Sequence, residues 1–195
     1  MRPHTAKLID AIRAGRKSRH ALAQHEANAH AALKQGDADA PLVLDALKRA
    51  VPTDPYFWFL GFCPNADVGN RLDTEWRAQG ICTCTIDRFD ESRGQERQIE
   101  DFMNIRIGDR LILKKDKKRG HTMTLHGYGR VTALAEDGAT QPRYIERSLI
   151  VDWAAQAAEI EVPFMGCTAT VNWRDADRVE REMPAEFFAW LGEEA

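Results

Sequence analysis

The chain has 195 residues, of which 44% are hydrophobic and 29% charged, which places it among ordinary globular proteins with enough chain to bury one sizeable core. A formal net charge of −3 argues against indiscriminate electrostatic binding of nucleic acid and leaves only local basic patches for that purpose. No apolar run approaches the roughly 20 residues of a membrane helix, and the polar start Met1-Arg2-Pro3-His4 lacks the apolar stretch of a secretory signal, so a cytoplasmic protein without membrane contact is expected.

From Thr5 to about Ala50 the sequence is alanine-rich and poor in strand formers, with apolar residues at Leu8, Ile9, Ile12, Leu22 and Leu33. This composition predicts two or three short helices, with a break at Gly36-Asp37 and a last helix capped near Asp39. Pro52 and Pro55 end the helical region, because neither can continue a helix and each biases its predecessor to extended backbone. The expected organisation is a helical extension over residues 1–52 and a β-rich domain over 53–195.

Beyond the prolines the texture changes to short apolar runs punctuated by Gly, Asn and Asp. Tyr56 to Phe62 reads as an aromatic-rich buried strand, Asn65 to Asn70 as a polar turn, and the stretch from Leu72 or Asp73 through Trp76 as a short helix. Ile81 to Ile86 alternates like a strand, and Gln95 to Ile105 is an amphipathic helix candidate. Ile107 to Lys114 reads as a turn and a strand, joined by the basic turn Lys114 to Gly120 to a strand over Met123 to Leu134, with further strands at Ser148 to Trp153 and Ala169 to Trp173. One helix over Glu182 to Leu191 follows. Short strands with interspersed helices indicate an α+β fold built around a small mixed barrel.

Several of these pieces occur in an informative order: Tyr56-Phe57-Trp58-Phe59-Leu60-Gly61-Phe62, Glu75-Trp76 with Gly80-Ile81, Ile107-Gly108-Asp109-Arg110-Leu111-Ile112-Leu113-Lys114-Lys115, His126-Gly127-Tyr128-Gly129-Arg130-Val131-Thr132, and Ile150-Val151-Asp152-Trp153. Over roughly residues 55–190 this order resembles the EVE-like branch of the PUA superfamily, a relative of the YTH readers found with McrB-type AAA+ GTPases in modification-dependent restriction systems. The resemblance implies a PUA/EVE-like β pseudo-barrel that holds a modified or flipped-out base in an aromatic pocket, in a restriction or anti-phage defence setting. Where that family carries Gly-Ile-Trp this chain has Gly80-Ile81-Cys82, so another ring must supply that wall.

A planar base offers two apolar faces and a polar edge, so stacking rings with a few edge hydrogen bonds give affinity and discrimination together. The candidate base-pocket residues are Trp58, Trp153, Trp173, Asp152 and Tyr128, with Lys114, Lys115, Lys117, Lys118 and Arg119 as candidate phosphate contacts. Each has a plainer alternative. Trp58 sits in an apolar run that can be packed on both faces, Trp76 at helical spacing from Leu72 is expected in the core, and lysines at a hairpin tip also serve solubility. Gly108-Asp109 reads as a turn with no chemical duty for Asp109.

No nucleophile elbow, phosphate-cradling glycine loop or His-Glu-x-x-His occurs, and Cys82-x-Cys84 lacks a second pair at metal-ligand spacing. Neither cofactor, metal nor catalytic activity is therefore expected. The expected ligand is modified DNA or RNA, and the expected partner a separately encoded nuclease or AAA+ motor. The alternatives are a protein-interaction adaptor, or a free-nucleotide sensor with the barrel as scaffold.

Overall fold

A computed structural model describes residues 1–63, 71–86, 94–118, 121–135, 147–155 and 158–192. The expected turn at Asn65 to Asn70 and the side chains of Lys117, Lys118 and Arg119 lie outside the described residues. Two compact units are present: residues Met1–Pro55 with Arg106–Gly108, and Tyr56–Ile105 with Asp109–Ala195.

The first unit holds three helices, α1 (Pro3–Arg13), α2 (Arg19–Lys34) and α3 (Ala40–Lys48). Pro3 starts α1 where a missing N–H costs nothing, and Ser18 Oγ caps α2 by accepting from Ala21 N at 3.3 Å. Ile9, Ile12, Leu22, Val43 and Leu47 form its core. Asp39 precedes α3 as expected, but its side chain makes no cap bond; it accepts instead from Arg2 N at 2.8 Å and Arg2 Nε at 3.2 Å. Residues just past Pro52 remain tied to the helices, since Thr53 N donates to Lys17 O and Asp54 Oδ1 accepts from Arg19 N. Arg106 pairs with Glu26 at 2.5 Å within this same unit.

The second unit is a mixed α+β structure. Its strands are β1 (Phe57–Gly61), β2 (Ile81–Thr83), β3 (Arg110–Lys118), β4 (Thr122–Ala135), β5 (Ser148–Trp153), β6 (Ile160–Pro163) and β7 (Val171–Arg174). They run in the order β2-β5-β4-β3-β1-β7, with β6 added beside the start of β4. β1 and β3 are parallel and the other pairs antiparallel, so the sheet is mixed, and among the described residues β2 and β7 are left as its unjoined ends.

Alternation along β1 sends Trp58 and Leu60 to one face and Phe57 and Phe59 to the other. Both faces are covered. The first carries α4 (Asp73–Gln79) and α5 (Gln95–Met103), represented by Trp76 and Phe102; the second carries α6 (Ala176–Glu182) and α7 (Ala185–Trp190), represented by Val179 and Phe187. A strand buried on both faces reads as the continuous apolar run seen in the sequence.

Three expectations about elements are corrected. The helix expected over Glu182 to Leu191 is the shorter α7, because Met183 and Pro184 adopt extended backbone before it, and α6 ahead of them was not expected. The short β6 has no strong sequence signal and is recruited by pairing with β4. The basic turn is shorter than expected, since β3 continues to Lys118, which pairs with Thr122 across the hairpin. Gly80 closes α4 in the left-handed region at φ 67° and starts β2 immediately afterwards.

A candidate nucleobase cleft at the β7 edge

Among the described residues strand β7 is one of the two ends of the sheet, and α5 packs beside it. The link is Gln98, whose Oε1 accepts from Thr170 N at 2.7 Å and Val171 N at 3.2 Å, satisfying edge amides that would otherwise need water. Between α5, β7 and the start of α6 lies a cleft of about 470 Å³, within the range of small-molecule sites. Its chemistry comes from Trp173, Asp101, Arg97, Arg174 and Arg178.

Trp173 is a fixed wall. Tyr56 stacks on it at 4.6 Å between ring centroids with the planes 5° apart, and Trp173 favours the ionised form of the neighbouring Asp101 carboxyl. Burial pushes the Asp101 carboxyl above its ordinary value, against the opposing pull of Arg97 and Trp173. Tyr56 is itself held from behind, because its backbone N–H donates to Asp109 Oδ1 at 3.0 Å. Asp109 Oδ2 accepts from Trp58 Nε1 at 2.7 Å, so one fully buried carboxylate ties β1 to the start of β3.

Two of the three guanidinium groups have unspent capacity. Arg174 donates to the carbonyls of Trp173 and Met165, yet its Nε is buried without an acceptor. Arg97 is exposed, with only the charge of Asp101 acting on it among the described residues. Arg178 pairs with Glu182 at 2.9 Å. Guanidinium planes both stack on rings and fork onto phosphate oxygens, so this mixture suits a planar, anionic ligand.

The residues nominated from sequence are scattered rather than gathered. Trp173 lines the cleft, and Trp58 is its cross-strand neighbour, but Trp58 is 1% exposed and its ring is core, so it cannot stack a base. Trp153 is half-buried, with Nε1 donating to Ile81 O at the β2–β5 end of the sheet. Tyr128 lies with the opposite apolar cluster, against Trp190 at 4.7 Å. Asp152 is exposed on β5.

Among the nominated cations, Lys114 is 6% exposed and its Nζ donates to Cys167 O at 2.6 Å, which removes it from any phosphate. The reason is that Lys114 lies within the β3 ladder rather than in a turn. Lys115 is half-buried on the same strand. Asp109, expected to have no duty beyond a turn, accepts from both Tyr56 N and Trp58 Nε1. Gln98, Asp101 and Arg97 were missed because helix α5 offers no motif; their spacing of one and four residues on a charged helix was the one available signal.

Cys82 and Cys84 are buried, and burial pushes both thiols up, Cys84 to about 11, opposite to the shift that activates a nucleophile. His126 Nδ1 lies 2.7 Å from Glu159 Oε1 while burial lowers its affinity for a proton. Among the described residues no group of His, Cys, Asp and Glu could hold a metal ion, and no helix is long and apolar enough to cross a membrane. No family model, curated protein or solved structure matches the chain.

Proposed function

We propose that the chain is a nucleic-acid-binding reader built on an EVE-like, PUA-type pseudo-barrel, which seats a modified or extruded nucleobase against Trp173 in a restriction or anti-phage setting. The observation that carries the proposal is the cleft itself: a rigid indole backed by Tyr56, beside three arginines and a carboxyl, in a volume that accommodates one base with its sugar and phosphate. Asp101 would read the polar edge of the base, while Arg97 and Arg174 would hold phosphate. Trp173 takes the stacking role that sequence had also offered to Trp58.

The test is binding of short DNA and RNA duplexes carrying methylated, hydroxymethylated or unmodified bases to wild type, Trp173→Ala and Trp173→Phe, followed by tryptophan fluorescence at two salt concentrations. Stacking contributes about 1–3 kcal/mol per base, so Trp173→Ala should weaken binding about tenfold or more and Trp173→Phe much less. Equal affinities in all three proteins, or binding without preference for any modification, would refute the reader. A free-nucleotide sensor would use the same cleft, because its volume is that of a single nucleotide.

A further inference from the structure

Arg97 and Asp101 lie one turn apart on α5, so one helix face carries both, and both line the cleft with Trp173. Burial raises the proton affinity of the Asp101 carboxyl, while Arg97 and Trp173 favour its ionised form. An ionised carboxylate only accepts, through two adjacent oxygens. This one is half-buried and has lost part of its water, which charge-assisted N–H donors of a ligand would replace.

The polar edges of the bases differ in what they offer such a group. Guanine presents two adjacent donors, the ring N1–H and the 2-amino group, which match both oxygens at once. Adenine and cytosine present one amino group beside a bare ring nitrogen, so the second oxygen meets a lone pair. Thymine and uracil present one N–H between two carbonyls, with the same result. The remaining group on the guanine edge is the O6 acceptor, which needs a donor beside the carboxylate. Arg97 supplies it, since a guanidinium has five N–H donors and can serve O6 while still reaching a phosphate. Donor and paired acceptors along α5 are thus the complement of O6, N1–H and the 2-amino group. A bicyclic purine also covers more of the Trp173 indole than a pyrimidine does.

We propose that Asp101 is the specificity-determining residue of the cleft and that the base it selects is guanine, held along its pairing edge by Asp101 and Arg97 while the ring stacks on Trp173. The proposal rests on the reading of the cleft as a base site and adds which base enters it. The other polar groups of the wall are engaged elsewhere: Asp175 Oδ1 caps α6 by accepting from Arg178 N, and Asn172 Nδ2 donates to Ala169 O. The edge used is the one that pairs with cytosine in a duplex, so the guanine is taken unpaired, from a single strand or after extrusion.

The experiment titrates wild type, Asp101→Asn and Trp173→Ala with single-stranded thymine heptamers whose central base is guanine, hypoxanthine, adenine or cytosine, with the all-thymine strand as baseline. Hypoxanthine is guanine without its 2-amino group and isolates one of the two donors. Wild type should bind the guanine strand about tenfold or more tighter than the adenine or cytosine strand, the discrimination of one good bidentate contact, with hypoxanthine between. Asparagine offers one acceptor and one donor, so Asp101→Asn should bring the guanine-to-adenine ratio close to one. Simple destabilisation would weaken every strand equally and leave that ratio alone. A wild-type ratio near one, a preference for adenine or cytosine, or a ratio unchanged in Asp101→Asn would overturn the guanine assignment, and the base site still stands if Trp173→Ala weakens all the strands. Should Trp173→Ala weaken none, or wild type bind none, the base site falls and the guanine assignment with it.

Discussion

Replacing Asp109 with alanine is expected to destabilise the β-rich unit strongly and to loosen the wall of the cleft. The carboxylate is 0% exposed and accepts from Trp58 Nε1 at 2.7 Å and Tyr56 N at 3.0 Å. Truncation leaves both donors in a packed interior, and each buried donor without a partner costs about 1–3 kcal/mol. The sum is about 2–6 kcal/mol, a large share of the ~5–15 kcal/mol that holds an ordinary domain together. Asp109→Asn keeps one acceptor oxygen and should cost less. Combining Asp109→Ala with Trp58→Phe removes one orphaned donor along with its partner, so the double variant should recover about 1–3 kcal/mol relative to additivity. Urea denaturation monitored by tryptophan fluorescence reads these differences as shifts of the midpoint at constant slope. A cost for Asp109→Ala below about 0.5 kcal/mol, typical of an unremarkable surface position, would refute this account of the carboxylate. Zero coupling with Trp58 would do the same for the indole bond alone.

Two further outcomes follow from other parts of the chain. A Cβ at Gly129 would lie 2.6 Å from Val151 Cγ1 and 2.7 Å from the Asp152 carbonyl oxygen, so Gly129→Ala should destabilise the sheet by at least the ~1–3 kcal/mol of an overpacked core, and a wild-type urea midpoint would contradict that contact. In the helical unit, the Arg2 backbone N–H holds the Asp39 carboxyl down at about 2, below its ordinary value of 3.8. A depressed carboxylate contributes stability that is present above about pH 4 and is lost as pH falls toward 2. Circular dichroism at 222 nm across that window should show wild type losing helix stability more steeply than Asp39→Asn, and parallel profiles would count against the bond.

The division between what was legible and what was not follows the range of the interactions. Helices α1 to α3 and strand β1 could be read from composition and from the proline stop, because alanine content, β-branching and missing N–H groups act locally. The run from Tyr56 to Phe62 also read as a buried strand, with burial on both faces one of two alternatives for Trp58. Strand β6 was not read, since its four residues become a strand by pairing with β4, and neither was α6, which ends just where the expected helix was begun.

Site residues were harder to read, for the same reason. A tryptophan in a strand states that a ring is present and leaves its face to the register, which buried Trp58 and left Trp173 beside a cleft. Lys114 looked like a phosphate contact because six basic or acidic residues follow one another there, yet the ladder carried it into the interior onto Cys167 O. Asp109 looked like turn chemistry, because the N–H groups it serves belong to Tyr56 and Trp58, more than fifty residues earlier. The pairing of Arg110 with Arg130 has no sequence signature: the two become opposite neighbours only through the β3–β4 register. By itself the sequence determined which segments are helix or strand and that an aromatic, locally basic surface was available. The tertiary structure alone decided which rings and guanidinium groups face solvent together, because facing is set by strand order and register, and those are properties of the pairing rather than of any segment.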